Sequence, residues 1–425
     1  MANISRNPIR LLYDAARNIK SNSTCALLEP LFHIPQSMYI GFLTLYKLEL
    51  GVTLTQVGLI TSLGLIIQLF FALISPFVVD KYGRRYTQLI FDFTCMAAVG
   101  VLWAVAQNIY FFIIAVILQG TMRIAVISWQ CLMLEDNEPD IRIHIFNFLQ
   151  LSTIIGGFFA PVGAIIVNRY TLVPGMRIIL VFFVFCKILH NVLRHFLISE
   201  TSVGRQKMEE MKGVSILGSL KIYVPVLKRF IKNKLLVIAI AIRALNYAQL
   251  LIRQTFLAVL VTNRLGFPAE SMAVFYTINS IVMLVMLLFI APLLAQITRR
   301  WPMILGIVFH ILATAILLTS PSTQNYPLLI ASAVLIAFGT SITTPRIEAM
   351  TANIIPNEDR SMANAIMGCI SLLISIPIGY IGGVFSSLDA RLPFLMTLSI
   401  FLISLILLYL AKRMETRQQL TEKGV

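Results

Sequence analysis

The sequence predicts an all-α polytopic membrane protein, and three observations carry that reading. Apolar runs longer than about 18 residues recur along the whole chain, long enough to cross a bilayer as helices. Apolar residues make up 58% and charged residues 12% of the chain, against roughly 45–50% and 25% in soluble domains. Basic residues crowd into alternate loops, as the cytoplasmic faces of membrane proteins require.

Taken in order, the pattern places twelve spans at 24–46, 53–79, 86–106, 109–134, 143–167, 174–197, 234–262, 268–297, 302–320, 326–352, 361–385 and 391–411. No spanning run starts at the N-terminus, so no cleaved signal peptide is expected. Most loops are a handful of residues, so neighbouring spans are antiparallel hairpins. The exception, 198–233, divides a six-span bundle at 24–197 from a second at 234–411, with tails at 1–23 and 412–425. Within that connector Ile216, Leu220, Tyr223, Leu227 and Phe230 recur at helical spacing among basic residues. This predicts an amphipathic helix resting in the interface.

The net charge of +15 is topological. Of 34 Lys and Arg, 24 fall in the tails and even-numbered loops, five at the odd-numbered loops and five within spans. Both termini are therefore expected in the cytoplasm of a cell with this protein in its plasma membrane. The basic face suits anionic lipid headgroups rather than nucleic acid. The five cysteines are scattered without ligand-like spacing and read as small apolar residues.

The two halves repeat. Ser75-Pro76-Phe77-Val78-Val79 before Arg84-Arg85-Tyr86 is echoed by Ala291-Pro292-Leu293-Leu294-Ala295 before Arg299-Arg300-Trp301. Glu138-Pro139-Asp140-Ile141-Arg142 is echoed by Pro356-Asn357-Glu358-Asp359-Arg360. Repeats of this kind imply two pseudo-symmetric bundles about a central cavity.

The loop Asp80-Lys81-Tyr82-Gly83-Arg84-Arg85 resembles the G-x-L-A-D-R-x-G-R-R signature between the second and third helices of the major facilitator superfamily. Asp80, Gly83, Arg84 and Arg85 match; Lys81 stands for the first Arg, Pro76 for the leading Gly and Val79 for the Ala. The span count and midpoint connector agree with a twelve-helix member of bacterial type. The resemblance implies two bundles that rock around a substrate site, with the loop as a conformational switch. It implies that Asp80 caps a helix of the opposite half and that Arg84 and Arg85 meet Glu135, Asp136, Glu138 or Asp140. Gly156 to Ala164, with Gly156 and Pro161 in place, resembles the antiporter motif of the fifth helix and leans towards export. The arginine that drug antiporters carry in the fourth helix is absent, with Val116 there.

Charges at membrane depth cost about 2.5–3.5 kcal/mol even on lenient scales and are functional by default. They concentrate on spans one, four, seven and ten, which line the cavity in the superfamily that the loop resembles. Arg123, Arg243, Asn246, Tyr247, Arg253, Gln254 and Arg346 are the candidate substrate-binding residues. Their arginine excess points to a substrate with an anionic group. Glu29 and His33, with Glu348 behind them, are the candidates for proton coupling; the competing reading is that Glu29 neutralises a buried arginine. Lys187, His190 and Arg194 form a basic stripe on the sixth span, expected to snorkel or to pair with Asp92. Asp92 and His310 are read as structural.

No P-loop, H-E-x-x-H or clustered aspartates occur, which argues against ATP drive and against a membrane enzyme. The reading is a monomeric secondary transporter that needs no cofactor or metal and moves a small organic solute by alternating access with protons or another coupling ion. The alternatives are an importer of an organic anion or sugar-like nutrient, and a transport-inactive sensor on the same fold. If the loop is a switch, Asp80→Asn and Gly83→Val lower the transport rate more than they lower thermal stability or substrate affinity. An unchanged rate in paired flux and melting measurements contradicts the switch.

Overall fold

A computed structural model describes residues 22–136, 139–213, 233–290, 293, 301–354 and 360–422. The described elements are helical throughout. Eleven helices are long and apolar enough to cross a membrane: α2 (Leu54–Tyr82), α3 (Arg84–Ala104), α4 (Ile109–Leu134), α6 (Leu172–Leu197), α7 (Lys234–Arg264), α8 (Ser271–Ile290), α9 (Trp301–Thr319), α10 (Tyr326–Ile354), α11 (Arg360–Leu388), α12 (Leu392–Glu422), and α5, built from Pro139–Gly157 and Ala160–Tyr170.

The first expected span is not one unbroken helix. It begins as a 3₁₀ turn, Asn22–Leu28, and continues as α1 in two pieces, Pro30–Ile40 and Leu43–Glu49. Pro30, at the first helical position, lacks the N–H that an earlier turn would need, so the α-helix starts there. The break at Gly41-Phe42 divides the rest. Helix α12 runs past the expected end of the last span at 411 to Glu422. Large apolar side chains such as Phe196, Ile165, Phe185 and Tyr409 lie exposed on the helix surfaces, the pattern of a lipid-facing exterior.

The chain divides into two compact units, Met1–Gly51 with Phe70–Ser219, and Val52–Leu69 with Leu220–Val425. In the first, α5 lies hard against α1. A Cβ on Gly156 would stand 2.6 Å from the His33 carbonyl oxygen, and one on Gly163 would collide with that of Met38. Ser37 Oγ seals this seam by donating to the Gly156 carbonyl at 2.5 Å. The chain kinks directly after, between the two α5 pieces, where Pro161 opens the second. The antiporter-like motif therefore has a packing task in this protein. Val78, Val79 and Ile124 form part of the core under the signature loop.

In the second unit, the start of α2 packs on α11 through glycines. A Cβ on Gly58 would lie 2.7 Å from the Gly379 oxygen and the Gly383 Cα. Ser62 Oγ donates to the Ile376 carbonyl at 2.5 Å, a small-residue contact of the sort that lets membrane helices approach. Ile242, Met303, Ile307, Ile347, Phe401 and Leu408 make a core among α7, α9, α10 and α12.

The connector opens as a polar helix, Ser202–Glu210; its expected amphipathic stretch from Ile216 to Phe230 lies outside the described residues. So do the second-half repeats at Arg299-Arg300 and at Pro356 to Asp359, and the side chains of Glu138 and Asp140. Gly383→Val forces a side chain into the Gly58 backbone, and overpacking of this kind costs about 1–3 kcal/mol. A lowered melting temperature in detergent is expected; an unchanged one contradicts the close packing.

Candidate functional site

Two constellations in the first unit and one in the second hold the charged side chains that a bilayer would otherwise exclude. The first surrounds the signature loop. Gly83 turns the chain at φ 81°, a left-handed conformation that favours glycine. A Cβ there would stand 2.7 Å from Glu200 Oε2 and 2.8 Å from Met208 Sδ. Gly83→Val thus strains the fold as well as any switch, and Asp80→Asn is the cleaner probe.

Arg84 is buried and bidentate to Glu135, with Nε 3.1 Å from Oε2 and Nη2 3.0 Å from Oε1. The same Nη2 lies 2.9 Å from Asp80. Asp80 therefore answers its own loop's arginine. Glu200, which sequence reasoning missed, accepts from the backbone N–H groups of Arg84 at 3.0 Å and Arg85 at 2.9 Å, the free donors at the start of α3. Arg85 Nη2 donates to the His195 carbonyl at 3.0 Å; of the acids expected to meet it, Glu138 and Asp140 have side chains outside the described residues. Asp136 takes Ser202, and Thr201 donates to Glu135. The connector is thereby tied to the loop. Its only signal in the sequence is an acid followed by two hydroxyl residues just past the sixth span.

The second constellation is a buried charge set among α1, α3 and α6. Arg194 Nη2 donates to Glu29 Oε1 at 2.5 Å, and Nη1 reaches Asp92 Oδ2 at 3.3 Å. Lys187 Nζ donates to the same Asp92 oxygen at 2.8 Å. His190 sits between the two cations, with Nδ1 3.3 Å from Lys187 and Nε2 2.9 Å from Arg194. His33 Nε2 lies 3.7 Å from Glu29. Aromatic faces complete the shell, with Trp129 3.9 Å from the Arg194 guanidinium and Phe32 4.5 Å from the Lys187 ammonium. Desolvated cations gain from such faces.

Glu29 therefore does neutralise a buried arginine, the competing reading for it, and that arginine is Arg194. The stripe Lys187, His190, Arg194 is buried rather than snorkelled, and its expected link to Asp92 is present. Two carboxylates face two permanent cations. Among the described residues, no group of three or more His, Cys, Asp or Glu is placed to hold a metal ion.

The third constellation lies within the second unit. Arg243 Nη1 pairs with Glu348 Oε2 at 3.2 Å, joining α7 to α10. Asn246 accepts from Gln249 at 3.1 Å, and both line a cleft with His310, Thr343 and Ser404. Arg253 makes one long bond, 3.4 Å to the Thr340 hydroxyl. It has no carboxylate partner among the described residues. Gln254 is exposed, while Arg123, Tyr247 and Arg346 are half-buried.

The sequence profile of the Major Facilitator Superfamily matches residues 31–323 and 246–424. The chain belongs to that superfamily. No curated protein matches the sequence significantly. Solved structures share the fold. The peptide transporter POT in complex with sulfate superposes with a TM-score of 0.68 at 14% identity, covering 95% of this chain and 98% of its own. The nucleoside transporter NupG gives 0.67 at 16% identity over 92% and 99%. A D-xylose–proton symporter gives 0.67 at 16% over 91% and 96%. The human organic anion transporter MFSD10 gives 0.56 at 12% over 96% and 100%. At such identities the likeness is one of fold. Superfamily membership makes this protein a membrane transporter rather than an enzyme, with a small molecule as its cargo.

Removing one member of a buried ion pair leaves the other uncompensated, at about 3–5 kcal/mol. Arg194→Met and Glu29→Gln should each lower thermal stability. The double variant should be less destabilised than the sum of the two, read from melting temperatures in one detergent. Additive effects contradict the direct pairing.

Proposed function

We propose that the protein is a proton-coupled secondary transporter for a small organic solute bearing an anionic group. It works by alternating access as a monomer in the plasma membrane, with both termini cytoplasmic. The observation that carries the coupling is the Glu29 charge set. Protonating one carboxylate leaves two cations facing one anion in a desolvated place. That imbalance is what a transporter can exchange for a change of conformation. Orientation rests on the basic excess of the tails and even-numbered loops.

The anionic substrate rests on Arg253, with Arg123, Arg243, Asn246, Tyr247, Gln254 and Arg346 as its companions in binding. A guanidinium with no carboxylate partner among the described residues, at membrane depth, suits a carboxylate or phosphate that can take two of its N–H groups. The organic anion transporter among the fold relatives supports this class. Glu348, paired with Arg243, is the second candidate for carrying the proton, and His33 the partner of Glu29. Coupling to protons also agrees with the xylose–proton symporter. The motif that leaned towards export packs α5 on α1 and serves either direction. Asp80 to Arg85, fastened to the connector, remains the proposed switch.

The deciding experiment is flux in proteoliposomes under an imposed pH gradient. The panel holds a dipeptide, a nucleoside, D-xylose, and a carboxylate and its amide of matched size. The carboxylate should move, the amide at least about tenfold more slowly, a factor equivalent to about 1.4 kcal/mol. A protonophore should abolish accumulation. Flux that ignores the pH gradient removes the coupling; equal flux of acid and amide removes the anionic site.

A further inference from the structure

Arg85, Gln88 and Asp92 of α3 and Asn191, Arg194 and His195 of α6 line a cleft beside the signature loop. The cleft holds an unusual number of unsatisfied groups. Arg85 Nε, Gln88 Oε1, both amide atoms of Asn191, Arg194 Nε and His195 Nδ1 are buried and find no hydrogen-bond partner among the described residues. Gln88 is 4% exposed, Asn191 3% and Arg194 5%. Buried polar atoms are almost always bonded to protein or to ordered water, so six of them around one space call for an occupant.

Their chemistry says which. An anion satisfies only donors and a cation only acceptors, whereas this set mixes guanidinium and amide N–H groups with amide oxygens. Water does both. The space suits about one ordered water, which can satisfy up to about four of the six atoms. Two lining residues, Asp92 and Arg194, are also members of the Glu29 charge set. A water here touches the loop end of the bundle on one side and the Asp92 carboxylate on the other.

We infer that the cleft between α3 and α6 is a hydrated inlet that delivers protons to the Asp92–Arg194–Glu29 set. The inference rests on the coupling reading above and adds the path. A hydronium at the mouth gives up one proton through the bound water, and neutral water remains behind. One carboxylate of the set becomes a carboxylic acid by forming a single O–H bond. The groups that face the set are Glu29 and His33 from α1, Asp92 from α3, and Lys187, His190 and Arg194 from α6, with Cys25 beside them in the preceding turn. His190, as a neutral imidazole, has one lone pair for two cationic donors.

The test uses the full-length protein in nanodiscs and needs no substrate. Infrared spectroscopy follows the carboxyl band that Glu29→Gln or Asp92→Asn removes, after a rapid pH jump. Asn191→Leu fills the cleft with an apolar side chain and should slow that band's response at least tenfold; Gln88→Met, as a second variant, should do the same. In parallel, Gln88→Cys should be labelled at its thiol by deuterium from D₂O, read from the S–H stretch, while Ile90→Cys, on the exposed, apolar side of the same helix, should label more slowly. An unaltered response rate in both cleft variants, or an unlabelled Gln88→Cys, overturns the inlet. Absence of any pH-dependent carboxyl band lost in either Glu29→Gln or Asp92→Asn instead removes the coupling reading, and thiol labelling judges the hydration separately.

Discussion

The structure of the first unit depends on one constraint: a carboxylate at the start of the first helix is buried away from bulk solvent. Glu29 is acceptable there only because Arg194 meets it, and Arg194 only because Asp92 shares its charge with Lys187. Burial of ions is expensive, and geometry this complete is what makes it tolerable. The break between the 3₁₀ turn and Pro30 follows from the same place in the chain, since Glu29 is the residue on which α1 begins. Glycines of α5 then bring that helix against the α1 backbone at His33, whose Nε2 lies 3.3 Å from the Thr153 hydroxyl of α5.

Glu29, Asp92, Lys187 and Arg194 sum to zero net charge while both carboxylates are ionised. Adding one proton breaks that balance, and the low dielectric of the interior magnifies the change. In the proposed coupling, protonation of Glu29 or Asp92 alters how α1, α3 and α6 attract one another. The signature loop lies at the end of the same helices. Glu200 holds the start of α3 and Glu135 holds Arg84. A shift among α3 and α6 is therefore felt at the loop through side chains that touch.

Much of this was legible in the residues. Uninterrupted apolar runs announced the helices, and Asp80-Lys81-Tyr82-Gly83-Arg84-Arg85 announced the family, because motif, position and repeat agreed. Arg84 to Glu135 followed from the motif. The unbroken first span did not survive: Pro30 starts the α-helix after a 3₁₀ turn and the next break falls at Gly41-Phe42, while Pro35 sits inside a continuous helix, a difference of local backbone geometry that spacing does not state. The Lys187, His190, Arg194 stripe was seen, yet its burial against Glu29 was not, because a helix wheel gives a face and not what the face meets. Glu200 was invisible for another reason: a lone acid after a span has no periodicity, and only folding brings it to the two N–H groups of α3.

The claim at the centre is that Glu29 sits at the proton-binding step of transport. The most direct measurement counts the protons that purified protein takes up or releases when it binds its substrate in weakly buffered solution, comparing wild type with Glu29→Gln. The account predicts about one proton per molecule for the wild type and none for the variant. A variant that exchanges as many protons as the wild type contradicts it.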